Sequence, residues 1–161
     1  RRQRQMCIRD SIMPGADDNG HYVSNLRNLA KKYNVLGKMV FLPFLDDLPA
    51  AYMLADVVVA PSLKPEPFGR VIIEAQAMGR PVISFDHGGA SESIKNNITG
   101  ILVEPKNEKE LGNAIEKLIN MTEIQRNNMA NSSRKHIVNK FSLDKMNRET
   151  IKLYSEVLKI K

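Results

Sequence analysis

Two glutamates stand eight positions apart, Glu66 and Glu74, on either side of a Pro67-Phe68-Gly69-Arg70 turn. The residues that follow, Val71-Ile72-Ile73-Glu74-Ala75-Gln76-Ala77-Met78, are apolar nearly all round, which predicts a buried helix over about 69–79. The first turn of such a helix offers backbone N–H groups without intrahelical partners and a partial positive charge of roughly half a unit. That end is a seat for phosphate. Gly69 lacks a side chain, so a ligand can approach the backbone there. Glu74 is costly in an apolar helix unless something pairs with it. A diol would serve, because one carboxylate accepts from two hydroxyls at once. Glu66, on the preceding loop, can face the same crevice. Arg70 stands four after Glu66 and four before Glu74, so simple ion pairs account for both acids equally well.

A second loop carries Gly88-Gly89, which either brings backbone amides to a ligand or makes a tight turn. His87 beside it is an acid–base group or a solvated loop residue. His21 and His136 fall in polar helices and carry no signal. The chain has no HExxH, GxSxG, P-loop or GxGxxG pattern and no metal ligands at usable spacing. Its single cysteine, Cys7, excludes an internal disulfide.

The elements that must position these residues alternate between strand and helix. Ile12-Met13 ends a strand before Pro14-Gly15. Leu26, Leu29, Ala30 and Tyr33 repeat at helical spacing and predict a helix over about 20–34. Met39-Val40-Phe41-Leu42 is a short strand stopped by Pro43. Pro49 opens the next helix. Val57-Val58-Val59-Ala60 reads as a strand buried on both faces, Pro81-Val82-Ile83-Ser84-Phe85 as another, and Gly100-Ile101-Leu102-Val103 as the last. Asn107 with Glu110 and Thr122 with Gln125 read as capping boxes of two helices, and Ser142 caps a third with apolar positions Met146, Leu153, Val157 and Ile160. The expected class is α/β, a Rossmann-like parallel sheet with flanking helices and a helical C-terminal tail. Ligands of such sheets bind at the carboxyl ends of the strands, so residues 43–47, 61–69 and 86–92 line the expected rim.

With 161 residues, 42% apolar and 26% charged, the chain is of ordinary globular composition and of one-domain length. No apolar run approaches ~18 residues, and no secretory signal is visible, so the expected compartment is the cytoplasm. The net charge of +6 is uneven. Residues 1–11 hold four arginines against one aspartate. This arm reads either as a nucleic-acid or anionic-surface tail, or as a segment foreign to the protein. Met6-Cys7-Ile8-Arg9-Asp10 resembles a translated transposon end, so residues 1–11 are expected to be a scar or disordered arm and residues 12–161 the functional domain.

Taken in order, Ala55-Asp56-Val57-Val58-Val59-Ala60-Pro61-Ser62, Glu66-x-Phe68-Gly69-Arg70-x₃-Glu74-Ala75-x-Ala77-x-Gly79-x-Pro81-Val82-Ile83, Gly88-Gly89-x₂-Glu92 and Asn97-x₂-Thr99-Gly100-x-Leu102-Val103 strongly resemble the C-terminal domain of family 4 (group 1) glycosyltransferases. These are retaining enzymes of GT-B architecture that use nucleotide sugars. The resemblance implies that the chain is the donor-binding half of an enzyme moving a hexose from a nucleoside-diphosphate sugar to an acceptor hydroxyl. It implies Glu66 as the catalytic-site residue touching the transferred sugar and Glu74 as holder of the ribose hydroxyls. It places backbone donors for sugar and diphosphate at Phe68, Gly69, Arg70 and Val71, and the nucleobase near Pro43 and Phe44. Glu92 takes a structural role and Lys64 none. No metal and no cofactor beyond the donor are implied. The family's preceding βα unit and its N-terminal acceptor domain are expected to be missing. That makes the chain a truncated piece, inactive alone, with the apolar face of residues 146–160 uncovered. Family acceptors imply peripheral membrane contact in the intact enzyme. The weighed alternatives are a nucleotide-sugar epimerase of the same architecture, for which only His87 is available, and a non-catalytic basic module, supported only by the arm.

Overall fold

The computed structural model describes residues 10–15 and 20–158. The arginine-rich arm up to Arg9 and Ile160 lie outside the described residues. The chain divides into two compact units, Arg1–Leu48 and Pro49–Lys161.

In the first unit, β1 (Ser11–Met13) and β2 (Met39–Phe41) pair in parallel, Ser11 opposite Met39, joined by α1 (His21–Lys32). The expected stripe on α1 is displaced. Val23 and Ala30 are buried and Leu26 is half-buried, while Leu29 and Tyr33 are exposed. The inner row is 23, 26, 27 and 30. Its charged member, Arg27, lays its guanidinium 4.4 Å from the centre of the Phe41 ring. A cation that stacks on an aromatic face occupies an inward position that an apolar count overlooks.

In the second unit, β3 (Val58–Ala60), β4 (Val82–Phe85) and β5 (Ile101–Val103) form a parallel sheet in the order β3-β4-β5. Side chains alternate between the faces of a strand. Ile83, Phe85, Ile101 and Val103 pack with Ala114 and Leu118 of α5 (Glu108–Ile119) and Met129 of α6 (Glu123–Phe141). On the other face Val82, with Val58, Ala60 and Leu102, packs against Ile72 and Ala75 of α3 (Arg70–Ala77), Ala90 of α4 (Ala90–Ser93) and Tyr52 of α2 (Leu48–Leu54). Among the described strands only the central β4 is buried at every residue; β3, at the sheet's edge, is half-buried, not covered on both faces as its β-branched run predicts.

Thr122 and Gln125 form the full capping box at α6. Asn107 accepts from the Glu110 N–H at 3.0 Å, but the Glu110 carboxylate turns to the Glu104 N–H at 2.8 Å, so the second arm of the expected box closes on a different residue. The tail helix α7 (Leu143–Leu158) has no buried residue; Met146, Leu153 and Val157 are exposed. Among the described residues no helix is long and apolar enough to cross a membrane.

Candidate functional site

Two loops leave the carboxyl ends of β3 and β4 side by side. The first, residues 61–69, runs into α3. The second, residues 86–89, runs into α4. Between them lies a small, solvent-open recess. Ala60 and Ser84 form its floor, Ser62, Glu66 and Gly69 one wall, and His87 the other, with Ile72 and Ala90 behind.

One backbone bond and one side-chain bond join the two loops. The Gly89 N–H donates to the Glu66 carbonyl at 2.8 Å, and His87 Nε2 lies 2.9 Å from the Ser62 carbonyl. A carbonyl only accepts, so Nε2 carries the hydrogen and Nδ1, buried, has no partner among the described residues. A Cβ on Gly88 would lie 2.5 Å from the Glu66 oxygen; one on Gly89 would lie 2.7 Å from both Phe68 Cα and the Pro67 oxygen. The paired glycines therefore admit the neighbouring loop, a third use beyond the ligand approach and tight turn weighed above.

Gly69 sits at the start of α3 with φ +69°, a left-handed conformation natural to glycine. The first bond back to it comes from the Ile72 N–H at 3.0 Å, which leaves the Arg70 and Val71 N–H groups ahead of that bond as the orphan donors of the helix. The helix is less buried than its composition predicts. Ile72, Ala75 and Gln76 are buried, Arg70 and Val71 exposed, and Glu74 half-buried. One face lies on the sheet and the opposite turn faces solvent, so apolar composition overstates burial.

The recess brings together Glu66 and Gly69 of the expected residues; Glu74, Phe68, Arg70 and Val71 do not line it. The Glu66 carboxylate accepts from the Ser62 hydroxyl. Glu74 lies one helical turn beyond Arg70, whose Nη2 donates to Oε1 at 3.1 Å. Its other oxygen, Oε2, accepts from the Tyr52 hydroxyl at 3.1 Å. Burial, then the Glu74 carboxylate, pushes the Tyr52 phenol up to about 12. Of the two ion pairs weighed above, Arg70 makes the one with Glu74, and Glu66 has its serine. Pro43 and Phe44 belong to the first unit, where the Pro43 carbonyl accepts from the Gly15 N–H at 3.2 Å and the Phe44 ring is exposed. Lys64 is exposed. No group of three His, Cys, Asp or Glu among the described residues could hold a metal.

Sequence reading missed Tyr52, Ser62 and Ser84 as site neighbours. Ser84 was visible as the one hydroxyl in an apolar strand; it points into the recess side and donates to the Ala60 carbonyl at 3.0 Å. It also missed His136. Phe68 meets Phe141 edge-on at 5.9 Å, and Phe141 meets His136 at 5.8 Å. Burial first, then Lys95 and Lys140, hold the His136 pKa below 6.5, against the Ser93 backbone bond that favours protonation. The unfolded chain therefore takes up this proton first as the pH falls. The stability this group contributes is whole above about pH 6.5 and is lost as the pH drops toward the folded value. Melting temperatures at pH 7.5 and 5.5 should differ more for the wild type than for His136→Phe; equal differences remove His136 from the acid response.

A family model described as glycosyl transferases group 1 matches residues 4–136. An uncharacterized glycosyltransferase of Methanocaldococcus jannaschii is 36% identical over 89% of this chain and 36% of its own length. Among solved structures, a glycosyltransferase from Rickettsia africae superposes with a TM-score of 0.87 at 32% identity, covering 94% of this chain and 41% of that one. Anabaena HepE, crystallised with UDP, gives 0.85 at 29% identity, covering 91% and 41%. The chain spans about a third of the length of the curated relatives it matches.

Proposed function

Because the chain belongs to the group 1 glycosyltransferases, we propose that residues 12–161 are the donor-binding part of an enzyme that moves a hexose from a nucleoside-diphosphate sugar to an acceptor hydroxyl, keeping the anomeric configuration. The observation that carries this reading is the start of α3, where Gly69 lines the recess between β3 and β4 and the leading N–H groups of Arg70 and Val71 follow it in the first turn. The diphosphate takes those donors. Charge grows on it as the sugar leaves, and fixed dipoles aimed at growing charge contribute several kcal/mol in other enzymes, about 3–4 for one well-placed donor. Glu66, on the recess wall, faces the transferred sugar. Glu74, one turn further along the helix, takes the ribose diol. No metal and no cofactor other than the donor takes part in this scheme. Crystallised HepE holds UDP and, separately, UDP-glucose, which supports a nucleoside diphosphate as the first ligand to try.

Titration of the chain with UDP and UDP-glucose, followed by calorimetry and amide NMR, should give saturable binding with the largest amide shifts at residues 69–72 and 87–89. Binding without shifts at those positions, or none at millimolar nucleotide, overturns the assignment.

A further inference from the structure

An ionised carboxylate has two oxygens and about four acceptor sites. Each Glu74 oxygen is engaged by one protein donor: Arg70 on Oε1 and the Tyr52 hydroxyl on Oε2, both at 3.1 Å. Each oxygen keeps acceptor capacity for one further donor, which suits two adjacent hydroxyls. The two protein donors are not equivalent. The Arg70 side chain is 83% exposed and shares the helix with Glu74, so solvent and salt compete for it. Tyr52 comes from another helix, α2, and its ring packs on the core that includes Ile72 and Ala75. A packed phenol has few rotamers and cannot follow a moving partner. With its pKa pushed up to about 12, it remains a hydrogen donor at working pH and never places a second anion beside Glu74.

Resting on the assignment of Glu74 to the ribose, we propose that Tyr52 is a positioning residue that fixes the plane of the Glu74 carboxylate, and thereby sets the preference of the site for a nucleotide with an intact 2′,3′-diol.

The test compares UDP with 2′-deoxy-UDP by calorimetry on the full chain, as wild type, Tyr52→Phe and Glu74→Gln. Tyr52→Phe keeps the ring and its packing. It should weaken UDP about fivefold and 2′-deoxy-UDP far less, so that the preference for the diol shrinks. Equal weakening of both, or no change in either, overturns the proposal. Glu74→Gln reports on the assignment beneath it: loss of the diol preference upholds Glu74 as the ribose ligand, and an undiminished preference overturns that assignment and this inference with it. Should Tyr52→Phe not fold, wild-type chain labelled at tyrosine Cζ decides the matter. Saturating UDP must shift the Tyr52 resonance more than saturating 2′-deoxy-UDP does, and equal shifts overturn the proposal.

Discussion

Gly89→Ala lowers the melting temperature by roughly 4–8 °C, while Gly112→Ala raises it by roughly 2–4 °C. Both glycines lie outside the left-handed region, so alanine suits either backbone. What differs is the space. At Gly112, inside α5, an added Cβ meets nothing within 4 Å, and alanine is favoured over glycine in a helix by about 1 kcal/mol. At Gly89 the Cβ lies 2.7 Å from backbone of Pro67 and Phe68, which no side-chain rotation relieves. Forced overpacking costs about 1–3 kcal/mol, paid as displacement of the loop that carries Glu66. The Gly89 N–H bond to the Glu66 carbonyl goes with it. UDP binding to Gly89→Ala should then fall by about tenfold or more, equivalent to about 1.4 kcal/mol. Calorimetric melting and UDP titration of the two variants check this; a Gly89→Ala chain as stable as the wild type would show that the loops are not locked at this point.

Glu74→Ala should weaken UDP about a hundredfold and lower the melting temperature by only a few degrees. Two hydrogen bonds to an ionised acceptor contribute about 1.5 kcal/mol each at the low end, and about 2.8 kcal/mol is a hundredfold. The protein's own use of Glu74 is smaller: the i,i+4 pair with Arg70 contributes about 0.3–0.5 kcal/mol and the Tyr52 hydroxyl bond about 1.5 kcal/mol. Large loss of affinity with little loss of stability separates a ligand-binding carboxylate from a structural one. Unchanged UDP affinity would reduce Glu74 to the ion pair and phenol contact already seen. In an intact enzyme the same substitution should raise the donor KM.

The strands, most helix starts and the loop-to-helix element at 66–74 were legible because their signals are local. Proline and glycine punctuate, β-branched runs extend, and Thr122 with Gln125 caps within one turn. What stayed hidden depends on residues distant in the chain. The Tyr52 hydroxyl reaches Glu74 across 22 positions, and no spacing rule links two helices packed on one sheet face. The inward place of Arg27 depends on Phe41, which stacks under its guanidinium from a different element. The run 57–60 does not reveal which strand takes the centre of the sheet, because its neighbours decide that. Gly88-Gly89 announced a special backbone, but whether a ligand or another loop required it depended on where residues 66–68 come to lie.

The seam between the 61–69 and 86–89 loops has a practical corollary for anyone altering donor choice. On the donor-site assignment proposed above, walls joined by the Gly89–Glu66 and His87–Ser62 hydrogen bonds resist parting for a bulkier sugar, and selectivity then rests on the side chains that line them. Randomised libraries should spare positions 88 and 89 and vary Ser62, whose side chain lines the recess.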